Sequence, residues 1–548
     1  MKIKTCLIIF LLAVISFSAI AQLGSSKKEF TEADSLRGTL NENRSCFDVT
    51  FYRLILRISP ADSTVSGIAS TTFKVVRNTK RIQLDLFSNM NIQQVLWQNK
   101  QIMPVRKFNA VLIDFPEELK EGTIQTVTVM YNGRPQIAKI PPWDGGFIWK
   151  KSKDGKPWVN VACQGTGASL WWPCKDHQSD EPDSMLISIA CPSDLMDVSN
   201  GRLRSVRDYE NGWKQYDWFV SNPINTYCVT VNIGSYYHFG DTLGNLTLDY
   251  FVLPESVDKA REQFKQVKPM LTCYENLFGP YPFYEDGYKL VESSHLGMEH
   301  QSAVAYGNKF KNGYLGRSLS DDEGQGMKFD YIIIHESAHE WFGNSITTAD
   351  IADMWVHEGF GMYAEALYVE CMYGYNDYLK YISGMRGGVS NNRPIIGPYG
   401  VNEEGSGDMY SKGALMLHTI RYIINNDSVF FATIKSMCSD FEHKIVTSEQ
   451  IENYWCTKTK TDLHKLFDQY LRYKNPPILE FKYENEKVSY RWKCDVSNFN
   501  QPAPVIVNGS EHIKIFPSDN WQILEGVKTI EDVKLDKDYV YYKVNRLQ

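Results

Sequence analysis

Residues Tyr331 to Ser345 read YIIIHESAHEWFGNS. An apolar run leads into two histidines four positions apart, with a glutamate directly after the first. On a helix, positions i and i+4 share a face, so His335 and His339 can turn both imidazoles toward one ion. Glu336 is rotated off that face and can approach an activated water as a general base. The same letters would also suit a charged turn of an ordinary surface helix. What separates the two cases is a third donor at a suitable distance, because a catalytic zinc takes three protein ligands and keeps one position open.

WVHEGFGMYAEAL, starting at Trp355, supplies that donor. Glu358 follows His339 with eighteen residues between, and the spacing predicts a second helix over Glu358–Met372. Packed against the first helix, it would complete a site for one Zn²⁺ per chain from His335, His339 and Glu358. His357 is a rival ligand, but an adjacent helical position faces elsewhere. Glu340 and Glu365 are expected to face solvent or to pack, with Glu365 also able to orient a ligand from behind.

Around this segment the chain is long for one hydrophobic core. Its 548 residues imply several domains, and 43% apolar with 22% charged residues is ordinary for a globular protein. The first residues, MKIKTCLIIFLLAVISFSAIAQ, form a leader, with a basic start at Lys2 and Lys4, an apolar stretch from Cys6 to Ser18, and Ala19-Ile20-Ala21 ahead of Gln22. A signal peptide over 1–21 and export, to the periplasm or beyond, are expected; a retained anchor is the alternative. Removing the leader makes the formal charge of −7 two units more negative. An acidic chain without a basic run is unsuited to nucleic acid. None of the cysteines forms a CxxC pair, which disfavours a cysteine zinc site. Cys163, Cys174 and Cys191 are near enough in sequence to pair, or to remain buried thiols.

Residues 22–45 are hydrophilic and are expected to be an exposed lead-in. From 46 to 253 the pattern is strand-like: in YRLILRI, Tyr52, Leu54, Leu56 and Ile58 alternate with Arg53, Ile55 and Arg57. Helical spacing takes over after Leu253, with Ser256 as N-cap and Gly279-Pro280 as a stop. Further helices are expected over Tyr331–Phe342, Ser411–Ile424 and Ser448–Tyr473. Alternation returns after Pro476-Pro477, predicting a small β-sandwich over 475–548.

HESAHEWFGNSIT followed by WVHEGF resembles the HExxH-x18-E zinc aminopeptidases of peptidase family M1. CFDVTFYRLILRISPADSTVSGIASTTF resembles the family's opening β domain and LWWPCKD its PC-x-D turn. The resemblance implies a multidomain α+β protein: an N-terminal β saddle, a thermolysin-like catalytic domain over 254–474 and a small C-terminal β-sandwich. The family's large helical C-terminal domain is not matched, which implies a short form with a more open cleft. In LGMEH, Gly297, Met298 and Glu299 match the GxMEN exopeptidase motif, whose glutamate grips the α-amine of a peptide; His300 stands where asparagine is usual. Gln164, ten residues before Cys174, matches a first-pocket position. YSKG matches Y-x-K-G and assigns Tyr410 as oxyanion donor, beside Glu336 as base.

The activity implied is release of single N-terminal residues from peptides. Rival activities on the same scaffold are an endopeptidase and an epoxide hydrolase. A catalytically inactive peptide-binding protein is a further alternative.

Overall fold

The computed structural model describes residues 29–547 except 210 and 321–322; the leader expected over 1–21 lies outside the described residues. The chain is α+β, with a β-rich N-terminal half and a helical part that carries the histidines. The strand Phe47–Ser59 shows why the first half folds as it does. It pairs antiparallel with Thr64–Val75 and parallel with Ser184–Pro192, at the centre of an eight-stranded sheet. Its period-two pattern puts Tyr52, Leu54, Leu56 and Ile58 in the core, while Arg53 and Arg57 are exposed. Smaller four- and three-stranded sheets complete this half.

The expected lead-in is corrected. Glu32–Gly38 is a helix capped by Thr31, Glu42–Ser45 forms a further turn, and Arg44 is fully buried against Asp85 at 2.6 Å. Burying an arginine requires a partner, and Asp85 supplies it, so this polar segment is fastened to the domain instead of trailing from it.

The break expected at 253 is also moved. The hairpin Tyr237–Leu243 and Leu246–Val252 joins Tyr288–Glu292, Val304–Tyr306 and Gly297–Met298 in one five-stranded sheet. Leu246, Leu248, Tyr250 and Val252 pack in the same core as the histidine helix. The helical half therefore begins with this hairpin. Ser256 caps no backbone amide, because its hydroxyl donates to Glu292 at 2.8 Å instead.

The helix expected over Tyr331–Phe342 spans Tyr331–Ala338, capped by Asp330, whose carboxylate accepts from Ile332 N and Ile333 N. The chain then turns out through Gly343 at φ +128°. The next helix, Trp355–Tyr373, is buried on every side as far as Val369. Ser411–Ile424 forms as expected, and Ser448–Tyr473 splits into Ser448–Thr459 and His464–Leu471, with Lys460 in the left-handed region at φ 55°. Residues 478–547 form a four-stranded and a three-stranded sheet whose inner faces share the helical core. All ten cysteines among the described residues are free, Cys163, Cys174 and Cys191 included. No described helix is long and apolar enough to cross a membrane.

Candidate active site

Three donors converge at the crossing of the helices Tyr331–Ala338 and Trp355–Tyr373. His339 follows the last helical residue but keeps φ −64° and ψ −17°, so its side chain still projects on the His335 face. The two Nε2 atoms lie 3.3 Å apart, and Glu358 Oε2 stands 3.6 Å from His335 Nε2 and 3.5 Å from His339 Nε2. A tetrahedral ion with bonds of about 2.0–2.1 Å needs ligand-to-ligand edges of about 3.3–3.4 Å. The triangle fits.

A further observation agrees with a cation at this point. Glu358 Oε2 is buried without a hydrogen-bond partner, which is costly for a carboxylate unless a positive charge faces it. Against burial, which disfavours imidazolium, Glu358 and Glu365 hold His335 well above its ordinary pKa. Against burial of its own, which would raise it, the charge of His339 leads in holding Glu358 well below the carboxylate range.

The histidines are aimed from behind. His335 Nδ1 meets Glu365 Oε1 at 2.6 Å, and Tyr381 donates to the other Glu365 oxygen at 2.5 Å. His339 Nδ1 donates to the Phe342 carbonyl at 2.9 Å. Each hydrogen bond leaves Nε2 as the free donor toward the ion. Of the placements expected for Glu365 and Glu340, packing holds for both and orienting a ligand holds for Glu365, while solvent exposure does not: both are fully buried, and Glu340 accepts from Ser302 N at 2.8 Å. His357 turns away, its Nε2 accepting from Thr348 N at 3.0 Å.

Glycines set how closely these parts approach. A Cβ on Gly297 would lie 2.5 Å from Glu336 Oε1, so only glycine lets the strand Gly297–Met298 pass the base. Gly413 of YSKG packs on Gly359, where an added Cβ would stand 3.0 Å from the Gly359 Cα. That contact presses the helix beginning at Ser411 onto the one carrying Glu358. Tyr410 thereby stacks near His335, with ring centroids 6.1 Å apart. Burial, then the carboxylates Glu358, Glu404 and Glu299, hold its phenol well above the usual value, so it remains a proton donor. Burial likewise raises Glu336, outweighing the two histidines beside it.

Gln164 reaches the site from the N-terminal half. Its turn is fixed by Gly167 N donating to the Cys163 carbonyl at 2.6 Å and by Asp176, which accepts from Ser169 N at 2.9 Å and pairs with Arg37. Gln164 Nε2 donates to Glu299 Oε1 at 2.8 Å and to Glu358 Oε1 at 2.9 Å, so one amide spans the two carboxylates. Burial raises Glu299 above the usual range. His300 is buried with both ring nitrogens unpartnered. Asn344 donates instead to the Glu299 carbonyl at 2.9 Å, steadying the backbone there.

One cleft thus gathers all the expected residues: His335, His339, Glu358, Glu336, Tyr410, Glu299, Gln164, Gly297 and Met298. It also holds Glu404 and Trp143, which the sequence did not single out. Glu404 comes from an irregular loop, and burial, with Glu358 and Glu299 adding to it, pushes its pKa up to about 7.

Residues 262–470 match the Peptidase family M1 domain and residues 49–228 the Peptidase M1 N-terminal domain. A probable aminopeptidase 2 of Sulfurisphaera tokodaii is 26% identical over 261 residues, which are 47% of this chain and 30% of that protein. The leucyl aminopeptidase of Saccharolobus solfataricus is 22% identical over 455 residues, 78% of this chain and 56% of that protein. The chain therefore spans only part of the length of the curated relatives it matches. The M1 zinc metallopeptidase of Deinococcus radiodurans, solved with a Tyr-Ser-Ala substrate, has the same fold, with a TM-score of 0.65 at 22% identity, over 79% of this chain and 96% of that one. With both M1 domains matched in order, and the helices, strand and turn of the site lying within or between them, the chain belongs to peptidase family M1.

Proposed function

We propose that this chain is a zinc aminopeptidase that removes single residues from the free N-terminus of peptides. The observation that carries the proposal is the Gln164 bridge. It sets the Glu299 carboxylate one amide away from the ligand Glu358, so an ammonium held by Glu299 leaves room for only one residue before the metal site. An endopeptidase would have no use for a buried carboxylate there.

His335, His339 and Glu358 would hold the zinc. When bound, the ion supplies Lewis acidity for the scissile carbonyl and lowers the pKa of water. Glu336 takes the proton of the attacking water and returns it to the leaving amine. The Tyr410 hydroxyl donates to the oxyanion as it forms. Glu299 accepts from the substrate ammonium, while Gln164, with no charge of its own, orients it. Burial around Glu336 and Tyr410 strengthens both interactions.

The direct test compares one peptide with its N-acetylated form. Acetylation removes the charge that Glu299 meets, and a buried charged hydrogen bond left unmade corresponds to a loss in kcat/KM of about 100-fold. Equal turnover of the two peptides would support the endopeptidase rival and end the exopeptidase reading. A second expectation concerns the metal: Glu365→Ala frees His335 Nδ1 and should weaken zinc affinity about 10–100-fold. Competition with a chromophoric chelator measures this, and an unchanged affinity would remove Glu365 from the role given to it.

Export belongs to the same proposal. The leader-like residues 1–21 support it, and a mature N-terminus at Gln22 on protein recovered outside the cytoplasm would test it.

A further inference from the structure

We infer that Glu404 makes the first side-chain pocket selective for a basic residue, so that the preferred substrates are peptides beginning with arginine or lysine. This rests on the aminopeptidase reading above and deepens it.

Glu404 is built into the cleft. It belongs to the loop between Arg393 and Ser406, which is tied at several points. Arg393 donates to the Gly405 carbonyl at 2.7 Å, Ser406 N to the Pro394 carbonyl at 3.0 Å, and Gly400 N to Asp350 Oδ2 at 3.0 Å. Across the cleft, Asn402 Nδ2 donates to the Gly165 carbonyl at 2.9 Å. That bond latches the loop onto the turn bearing Gln164. The Glu404 carboxylate consequently lies over Gly165, where an added Cβ would stand 2.8 Å from Oε1, at a residue with φ +70°. The backbone conformation there favours glycine.

The carboxylate is uncommitted. Among the described residues none donates a hydrogen bond to it or forms an ion pair with it. Arg393, a cation near it, is engaged with Glu403 at 3.4 Å and with the Gly405 carbonyl. A half-buried carboxylate that faces a cleft without a partner is a place where a ligand can bring one.

Counting charge shows what the ligand must bring. Glu358, Glu336 and, behind His335, Glu365 are the carboxylates that adjoin a bound zinc. The substrate ammonium is balanced by Glu299. Glu404 is then left over, and a second positive charge on the same first residue balances it. A lysine or arginine side chain carries that charge at the end of a flexible apolar stem. Pro142 and Trp143 line the same cleft and give the stem an apolar wall, and Trp143 offers a face for a guanidinium. Their loop is joined to the Gln164 turn by Thr166 Oγ1 donating to the Asp144 carbonyl at 3.3 Å.

The test is a panel of aminoacyl amides on the intact zinc-loaded protein and on Glu404→Gln, read as the ratio of kcat/KM for arginine over leucine. For the unmodified protein the ratio should exceed one. In Glu404→Gln it should fall about 30-fold, as expected for loss of a charged hydrogen bond in a partly buried pocket, with the change carried mainly by KM. Glu404→Asp should lie between the two. A ratio that is the same in both proteins, or an unmodified protein that favours leucine, overturns the assignment of Glu404 while leaving an aminopeptidase in place. Absence of turnover on every amide in the panel overturns the aminopeptidase reading itself.

Discussion

Glu336→Gln is expected to lower kcat by about 10²–10⁴-fold while the protein keeps its zinc. The amide has nearly the shape of the carboxylate but cannot accept a proton. Glu336 is buried beside His335 and His339 without belonging to their triangle with Glu358, so the three donors should stay in place when its charge is removed. The loss should fall on kcat, because the proton moves only as water attacks, and KM should change little. Metal analysis of the same preparation separates this from a folding defect. A zinc-replete Glu336→Gln protein with normal turnover would mean that another group takes the proton.

Tyr410→Phe is expected to cost about 10²–10³-fold in kcat, the range found when one oxyanion donor is removed. The ring stacks near His335 and should hold its place without the hydroxyl. Ala414 N still donates to the Tyr410 backbone carbonyl at 2.9 Å, so the start of the helix does not depend on the phenol. As with the base, the effect should appear in kcat and spare zinc content. The two variants should differ toward a transition-state mimic with a tetrahedral oxyanion. Tyr410→Phe should bind it much more weakly, because the lost donor acts on that oxygen. If it binds such a mimic as tightly as the unmodified protein, Tyr410 has no oxyanion role.

What the sequence revealed of this site follows from the range over which each part is encoded. His335, Glu336 and His339 lie within one helical turn and a half, so spacing alone sets their relative directions. Glu358 needed a second helix, and the polar letters of WVHEG in an apolar stretch marked it. Tyr410, Glu299 and Gln164 became legible only through resemblance, since a lone tyrosine, glutamate or glutamine carries no periodic signal.

Glu365 stayed open between solvent, packing and a place behind a ligand, because a glutamate in a helix usually faces water. Here the helix Trp355–Tyr373 is enclosed on all sides as far as Val369, and the histidine that Glu365 orients lies on another element. Glu404 left no trace at all: its position comes from a latched loop, and the bond from Asn402 to Gly165 joins residues far apart in the chain. The strand pattern of the first half was plain from YRLILRI. The assignment of the hairpin Tyr237–Leu243 and Leu246–Val252 was not, because alternation shows that a strand has two faces and says nothing about which sheet it joins. Arg44 was hidden for a related reason, since a charged residue reads as exposed until its partner, here Asp85, is seen.

The central claim is that one zinc ion is held by His335, His339 and Glu358. X-ray absorption at the zinc edge, on protein purified without added metal, tests it most directly. One zinc per chain is expected, with two imidazole nitrogens at about 2.0–2.1 Å, a carboxylate oxygen at about 2.0–2.2 Å and no sulfur neighbour, and Glu358→Ala should abolish the signal. A zinc shell containing sulfur, or a spectrum unaltered by Glu358→Ala, would contradict the account.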